Sequence, residues 1–227
     1  MEVPPLPVYP TVAIAGNAQR FPLHRIYCVG WNYAAHVREM GLSLERDPPV
    51  FFMKPLDAIV PNGGCVPYPP RTRSLHYEVE LVVAIGQAGA GIGVDGALDH
   101  VWGYGVGIDM TRRDLQTRAK ELRQPWETAK AFDHAAPLSA LHSVERTGHP
   151  ANGRIWLAVN GELRQDGDLG QQIWSVPEII QHLSSYFTLA PGDLIYTGTP
   201  AGVGAVVRGD VLEGGIDGVD TLRIEIV

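Results

Sequence analysis

His76-Tyr77-Glu78-Val79-Glu80-Leu81-Val82-Val83 reads as a strand continuing to Ile85 and stopping at Gly86. Successive strand side chains point to opposite faces, so Glu78 and Glu80 project from the same side. Downstream, Trp102-Gly103-Tyr104-Gly105-Val106-Gly107-Ile108-Asp109 closes on a third carboxylate. Its glycines weaken a strand unless something must approach the backbone closely. Neighbouring like charges repel unless a proton or a cation lies between them. With Asp109 as a further oxygen ligand, the set suits a hard divalent ion, Mg²⁺ or Mn²⁺, with positions left for water or substrate. Taken alone, Glu-x-Glu is more often the solvated face of a half-buried strand.

Outward from this run, strands outnumber helices and no βαβαβ rhythm occurs. Arg25–Gly30, Val50–Met53, Leu194–Thr197 and Thr221–Val227 read as strands. Asn160-Gly161 between Ile155–Asn160 and Glu162–Gln165 signals a hairpin. Asn32 is placed to cap a short helix, Tyr33 to Met40, with Gly41 as its stop. Asp109 or Thr111 could cap another running to about Arg123. Ser175-Val176-Pro177-Glu178 is a capping box opening a helix to about Tyr186. Residues 1–24 are rich in proline and read as an irregular or hairpin extension. No repeat or linker divides the remainder.

Composition narrows the function classes. A chain of 227 residues with 45% hydrophobic and 19% charged residues can bury a sizeable core. A net charge of −7 without a basic cluster argues against nucleic acid. No apolar stretch approaches the roughly 20 residues of a membrane span. The acidic, proline-rich start does not read as a signal peptide. Two cysteines without a Cys-x-x-Cys spacing fit a reducing cytoplasm and not a thiolate metal site.

Three further features carry chemistry. His36 and Glu39, spaced i,i+3, share a helix face. A carboxylate beside an imidazole fixes its tautomer, as a general base for water requires; the plainer reading is a solvated surface pair. Lys130, among aromatic and small residues, could be a buried charge for a developing oxyanion, or a snorkelling surface lysine. The loop Tyr196-Thr197-Gly198-Thr199-Pro200-Ala201-Gly202-Val203-Gly204 offers backbone N–H groups and hydroxyls to an anion. It lacks the Gly-Lys-Ser/Thr of a P-loop, and a plain turn is the alternative.

The order of these pieces resembles the fumarylacetoacetate hydrolase family, in particular its small acylpyruvate and fumarylpyruvate hydrolases. The matching segments are Val29–His36, Phe52–Pro55, His76–Leu81, Gly107–Asp114, Lys130–Asp133, Val159–Gly161 and Thr197–Gly204. The resemblance implies an α+β fold, a mixed β-sandwich roll with flanking helices, as a catalytic domain over 25–227 and usually a homodimer. It implies a divalent ion on Glu78, Glu80 and Asp109, a lid helix carrying His36 and Glu39, and Lys130 as the active-site lysine. Arg113, Gln116 and Thr199 match positions near the substrate. The pattern departs at Trp31, where relatives carry Arg or Leu.

The implied substrate is a 2,4-dioxo acid, and the implied reaction is hydrolysis of its C3–C4 bond. Fumarylpyruvate, from aromatic (gentisate) catabolism, fits the resemblance most closely and would yield fumarate and pyruvate. Its second carboxylate needs a cation, for which Arg112 is the candidate, since a guanidinium pairs bidentately. Trp31 and the loop from Gly41 to Pro49 could also receive that end. Alternatives within the family are an acylpyruvase, an oxaloacetate decarboxylase or an aromatic-pathway decarboxylase/isomerase. Outside it, the alternative is a metal-dependent binding protein without catalysis.

Overall fold

In the computed structural model, which describes residues 9–40 and 48–227, Val79–Ile85 is buried along its entire length. It lies mid-sheet, antiparallel to Val101–Ile108 on one side and to Asp193–Tyr196 on the other. Arg25–Gly30 pairs parallel with Asp193–Tyr196, and Val50–Lys54 forms the edge beyond it. On the other flank Ala136–Leu138 pairs with Val101–Ile108, and Ile59–Pro61 runs parallel to it. A five-stranded sheet, in the order Glu162–Asp168, Arg154–Val159, Val211–Ile216, Asp220–Ile226 and Cys65–Val66, covers one face. The helix Val176–Tyr186 flanks the sheets, opened by the expected capping box. This is the α+β roll that the resemblance implied, with mixed strand directions and few helices.

The strand expected from Tyr77 to Ile85 is in fact two. Leu75–Tyr77 belongs to a three-stranded sheet with Thr111–Arg112 and Gly204–Val206. Val79 onward belongs to the large sheet. Glu78 is the corner residue, and its carbonyl accepts the N–H of Asp109 at 2.8 Å. The glycine-rich run is a strand because a neighbour does press on it. A Cβ at Gly107 would fall 2.4 Å from Tyr196 Cε1 and 2.6 Å from Val82 Cγ2.

Two helix starts differ from expectation. Tyr33, not Asn32, is at the N-cap of Ala34–Glu39. Asn32 is buried and cross-links distant backbone: its amide donates to Trp174 O at 2.9 Å and Thr197 O at 2.7 Å, and its oxygen accepts Trp174 N–H. The second helix is Arg113–Glu121, capped at Arg112. Asp109 and Thr111 cannot serve as caps because both are drawn into a buried polar cluster. The Gly41 stop lies outside the described residues. In the amino-terminal extension, Thr11–Ala13 and Arg20–Pro22 form a hairpin. Among the described residues no helix is long and apolar enough to cross a membrane.

Candidate active site

The corner at Glu78 brings the acids together. One oxygen from each of Glu78, Glu80 and Asp109 lies within 4.8 Å of the others, and all three residues are buried. Three cations answer them. Lys130, at the end of the short helix Glu127–Lys130, donates to Glu78 Oε2 at 2.7 Å, Asp109 Oδ2 at 2.6 Å and Thr111 Oγ1 at 2.7 Å. Arg113 pairs with the other Glu78 oxygen and donates to Gln116 Oε1 at 2.6 Å. Lys54 Nζ stands 2.7 Å from Asp109 Oδ1 while donating to the carbonyls of Met110 and Lys130. That contact is an ion pair out of line for a hydrogen bond, so the buried Oδ1 has no hydrogen-bond partner.

The acids are not equivalent. Burial opposes ionisation of Glu78, but Lys130 and Arg113 overcome it and hold its carboxyl well below the ordinary value. Glu80 goes the other way: burial, then Asp109 and Glu78, push it well above, against a smaller pull from Lys130. Its hydrogen bond from Gly198 N–H, at 2.7 Å, does not offset this. Burial disfavours the Lys130 ammonium, yet Asp109 and Glu78 raise its pKa. A hard dication therefore fits. The donors are three buried carboxylate oxygens within 4.8 Å of one another, and a cation between them would offset the repulsion from Asp109 and Glu78 that pushes Glu80 up.

The short helix Ala34–Glu39 presents the second group of residues. His36 is buried, and its Nδ1 lies 3.1 Å from Glu39 Oε2. The other carboxylate oxygen, Oε1, accepts Gly202 N–H at 3.1 Å. A carboxylate only accepts, so it selects the tautomer with the proton on Nδ1 and leaves Nε2 as the base. Thus one loop serves both groups: Gly198 holds Glu80 and Gly202 holds Glu39. Gly198 has φ +96°, and a Cβ there would meet Asn32 Cβ at 2.6 Å. Gln165 secures the same loop, donating to Thr199 Oγ1 at 2.8 Å and Pro200 O at 2.9 Å while accepting Val79 N–H.

His36, Glu78, Glu80, Arg113, Gln116, Lys130 and Thr199 line one cavity, walled by Trp31, Phe52 and Trp126. Of the residues singled out in the sequence, Arg112 is not brought there. Its guanidinium stacks 4.4 Å from the Phe132 ring and donates to Thr128 O, so it faces away from the acids. The loop from Gly41 to Pro49 lies mostly outside the described residues. Sequence reasoning missed Lys54, Asn32, Thr111 and Gln165 as parts of the site. Lys54 had a signal, a lone lysine ending the apolar run Val50-Phe51-Phe52-Met53.

Comparison with known proteins identifies the family. The family model described as fumarylacetoacetate (FAA) hydrolase C-terminal matches residues 25–227. The chain is 46% identical over 201 residues to oxaloacetate tautomerase FAHD1, mitochondrial, of Rattus norvegicus, covering 88% of this chain and 90% of that one. It is 40% identical to the mitochondrial oxaloacetate decarboxylase of Dictyostelium discoideum, covering 89% and 94%. Among solved structures, the fumarylpyruvate hydrolase of Pseudomonas aeruginosa in complex with Mn²⁺ and pyruvate superposes with a TM-score of 0.97. That protein is 50% identical, with 100% of this chain and 99% of the other covered.

Proposed function

Since the chain belongs to the fumarylacetoacetate hydrolase family, we propose that it is a metal-dependent hydrolase of acylpyruvates, with fumarylpyruvate as substrate and fumarate and pyruvate as products. The observation that carries this reading is the shared cavity: His36, oriented by Glu39, lines the same space as Glu78, Glu80 and the buried Lys130, and an Asp109 oxygen lies within 4.8 Å of oxygens of both glutamates. Glu78, Glu80 and Asp109 would hold Mg²⁺ or Mn²⁺. When bound, that ion would supply Lewis-acid polarisation of a 2-oxo carboxylate.

The remaining steps belong to the chain's own residues. His36 Nε2 takes a proton from water, and Glu39 keeps the Nδ1 proton in place as the ring becomes cationic. The resulting hydroxide adds to C4, and the C3–C4 bond breaks with its electron pair going to C3. Pyruvate leaves as an enolate, and the Lys130 ammonium faces the developing charge. His36 then returns its proton to C3. Arg113 and Gln116, joined to each other, offer donors to the substrate's carboxylate. The half-buried aromatic walls, Trp31, Phe52 and Trp126, would limit water around bound substrate and so strengthen these interactions.

A second reading comes from relatives named as acting on oxaloacetate. Tautomerisation or decarboxylation of oxaloacetate would use the same carboxylates but needs no attacking water. The deciding experiment is a spectrophotometric panel of fumarylpyruvate, acetylpyruvate and oxaloacetate with Mg²⁺ or Mn²⁺ present. Loss of enol absorbance with stoichiometric pyruvate and fumarate supports the proposal. Turnover of oxaloacetate alone would replace it with the second reading.

A further inference from the structure

Trp31 follows the strand Arg25–Gly30 and adopts φ +60°, a left-handed conformation that strains any bulky residue. Its indole lines the cavity together with Glu78, Glu80, His36 and Lys130. Trp126 lines the same wall and meets it edge-on, with ring centroids 5.1 Å apart at 72°. The ammonium of Lys120, from the last turn of Arg113–Glu121, stands 4.9 Å from the Trp31 centroid and 5.3 Å from that of Trp126. Lys54, Arg113 and Lys130 are each paired with an acid. Among the described residues Lys120 has no carboxylate within ion-pair distance. Two indole faces hold the cation in place without neutralising it.

We propose that Trp31, Trp126 and Lys120 form the subsite for the acyl end of the substrate, and that this end is flat, unsaturated and terminated by a second carboxylate. A conjugated acyl chain stacks on an indole face, and its terminal carboxylate takes the ammonium. The distal cation is thereby Lys120 and not Arg112, whose guanidinium is committed to Phe132 and Thr128. This assignment rests on the acylpyruvate reading above and names the acyl group within it.

The test has two arms. In the first, the wild-type protein with Mg²⁺ is titrated with fumarate and with crotonate, which has the same flat chain and one carboxylate fewer. Quenching of tryptophan fluorescence reports occupancy beside Trp31 and Trp126. Fumarate is expected to bind at least about tenfold more tightly. Lys120→Met should abolish the difference and Lys120→Arg should retain most of it. In the second arm, Lys120→Met should lower the kcat/KM ratio of fumarylpyruvate to acetylpyruvate at least about tenfold, chiefly through KM. Equal binding of fumarate and crotonate by the wild type would overturn the proposal without recourse to any variant. So would a Lys120→Met protein that keeps the fumarate preference, or an Arg112→Ala protein that loses it. Selective fumarate binding by a wild type that cleaves neither acylpyruvate would overturn the hydrolase reading and leave the subsite standing.

Discussion

Glu39→Gln is expected to lower kcat for acylpyruvate hydrolysis by about 10²–10⁴ while leaving metal affinity unchanged, and the structure says why an isosteric change should cost so much. The wild-type carboxylate accepts on both sides, from Gly202 N–H at one oxygen and from His36 Nδ1 at the other. In the glutamine variant only one atom can accept. Gly202 N–H is a fixed donor, so the amide oxygen goes to it and the NH₂ turns towards His36. Nδ1 must then accept, its proton moves to Nε2, and the nitrogen that should take a proton from water no longer can. General-base catalysis contributes about 10²–10⁴, and a wrong-tautomer histidine loses the upper end of that range. At about 1.4 kcal/mol per tenfold, the barrier rises by roughly 3–5 kcal/mol. The assay is loss of enol absorbance at saturating substrate, with Mn²⁺ affinity measured by calorimetry on the same protein. Oxaloacetate chemistry, which activates no water, should fall much less. A variant with kcat within threefold of wild type and normal metal binding would refute the dyad.

Other expectations follow from the same geometry. Chelation with EDTA should abolish turnover, Mg²⁺ or Mn²⁺ should restore it, and Glu80→Ala should lose calorimetric metal binding and activity together; full turnover in excess chelator would remove the metal from the mechanism. Gly198→Ala should cost about 1–3 kcal/mol, because the residue is left-handed and its Cβ would press on Asn32. That is a fall in Tm of roughly 2–12 °C in a chain of this size, with weaker Mn²⁺ binding because the N–H on Glu80 moves. Burial, then Arg113 and Lys130 against a pull from Glu78, hold Lys120 down to about 8. The ammonium is present below that pH and lost above it, so the kcat/KM preference for fumarylpyruvate over acetylpyruvate should fall as pH rises through about 8 and vanish in Lys120→Met.

Much of the site could be read from the chain because its logic is local. Glu78 and Glu80 lie two residues apart, and His36 and Glu39 share a helix face by their spacing. Both pairs meet in the structure, although Glu78 sits at a corner before the strand Val79–Ile85 and not within one strand with Glu80. The Asn160-Gly161 hairpin and the Ser175–Glu178 box are likewise complete within a few residues, and both are present. Arg112 failed for the opposite reason. A guanidinium has no local rule for which way it points, and Phe132 and Thr128, on another segment, decided it.

Sequence alone therefore pointed to the candidate ligands, the dyad and the turns, since close spacing along the chain, helical period and left-handed turn residues act between near neighbours. Tertiary structure decided the rest. It placed a sheet corner at Glu78, because Leu75–Tyr77 and Val79–Ile85 find their partners in different sheets. It turned Asn32 from a helix cap into a cross-link to Trp174 and Thr197, because a buried amide must satisfy its donors and acceptor wherever partners lie. It drew Lys54 onto Asp109 and set Lys120 against two indoles. Burial and charge pairing are set by segments far apart in the chain, and no spacing within one segment encodes them.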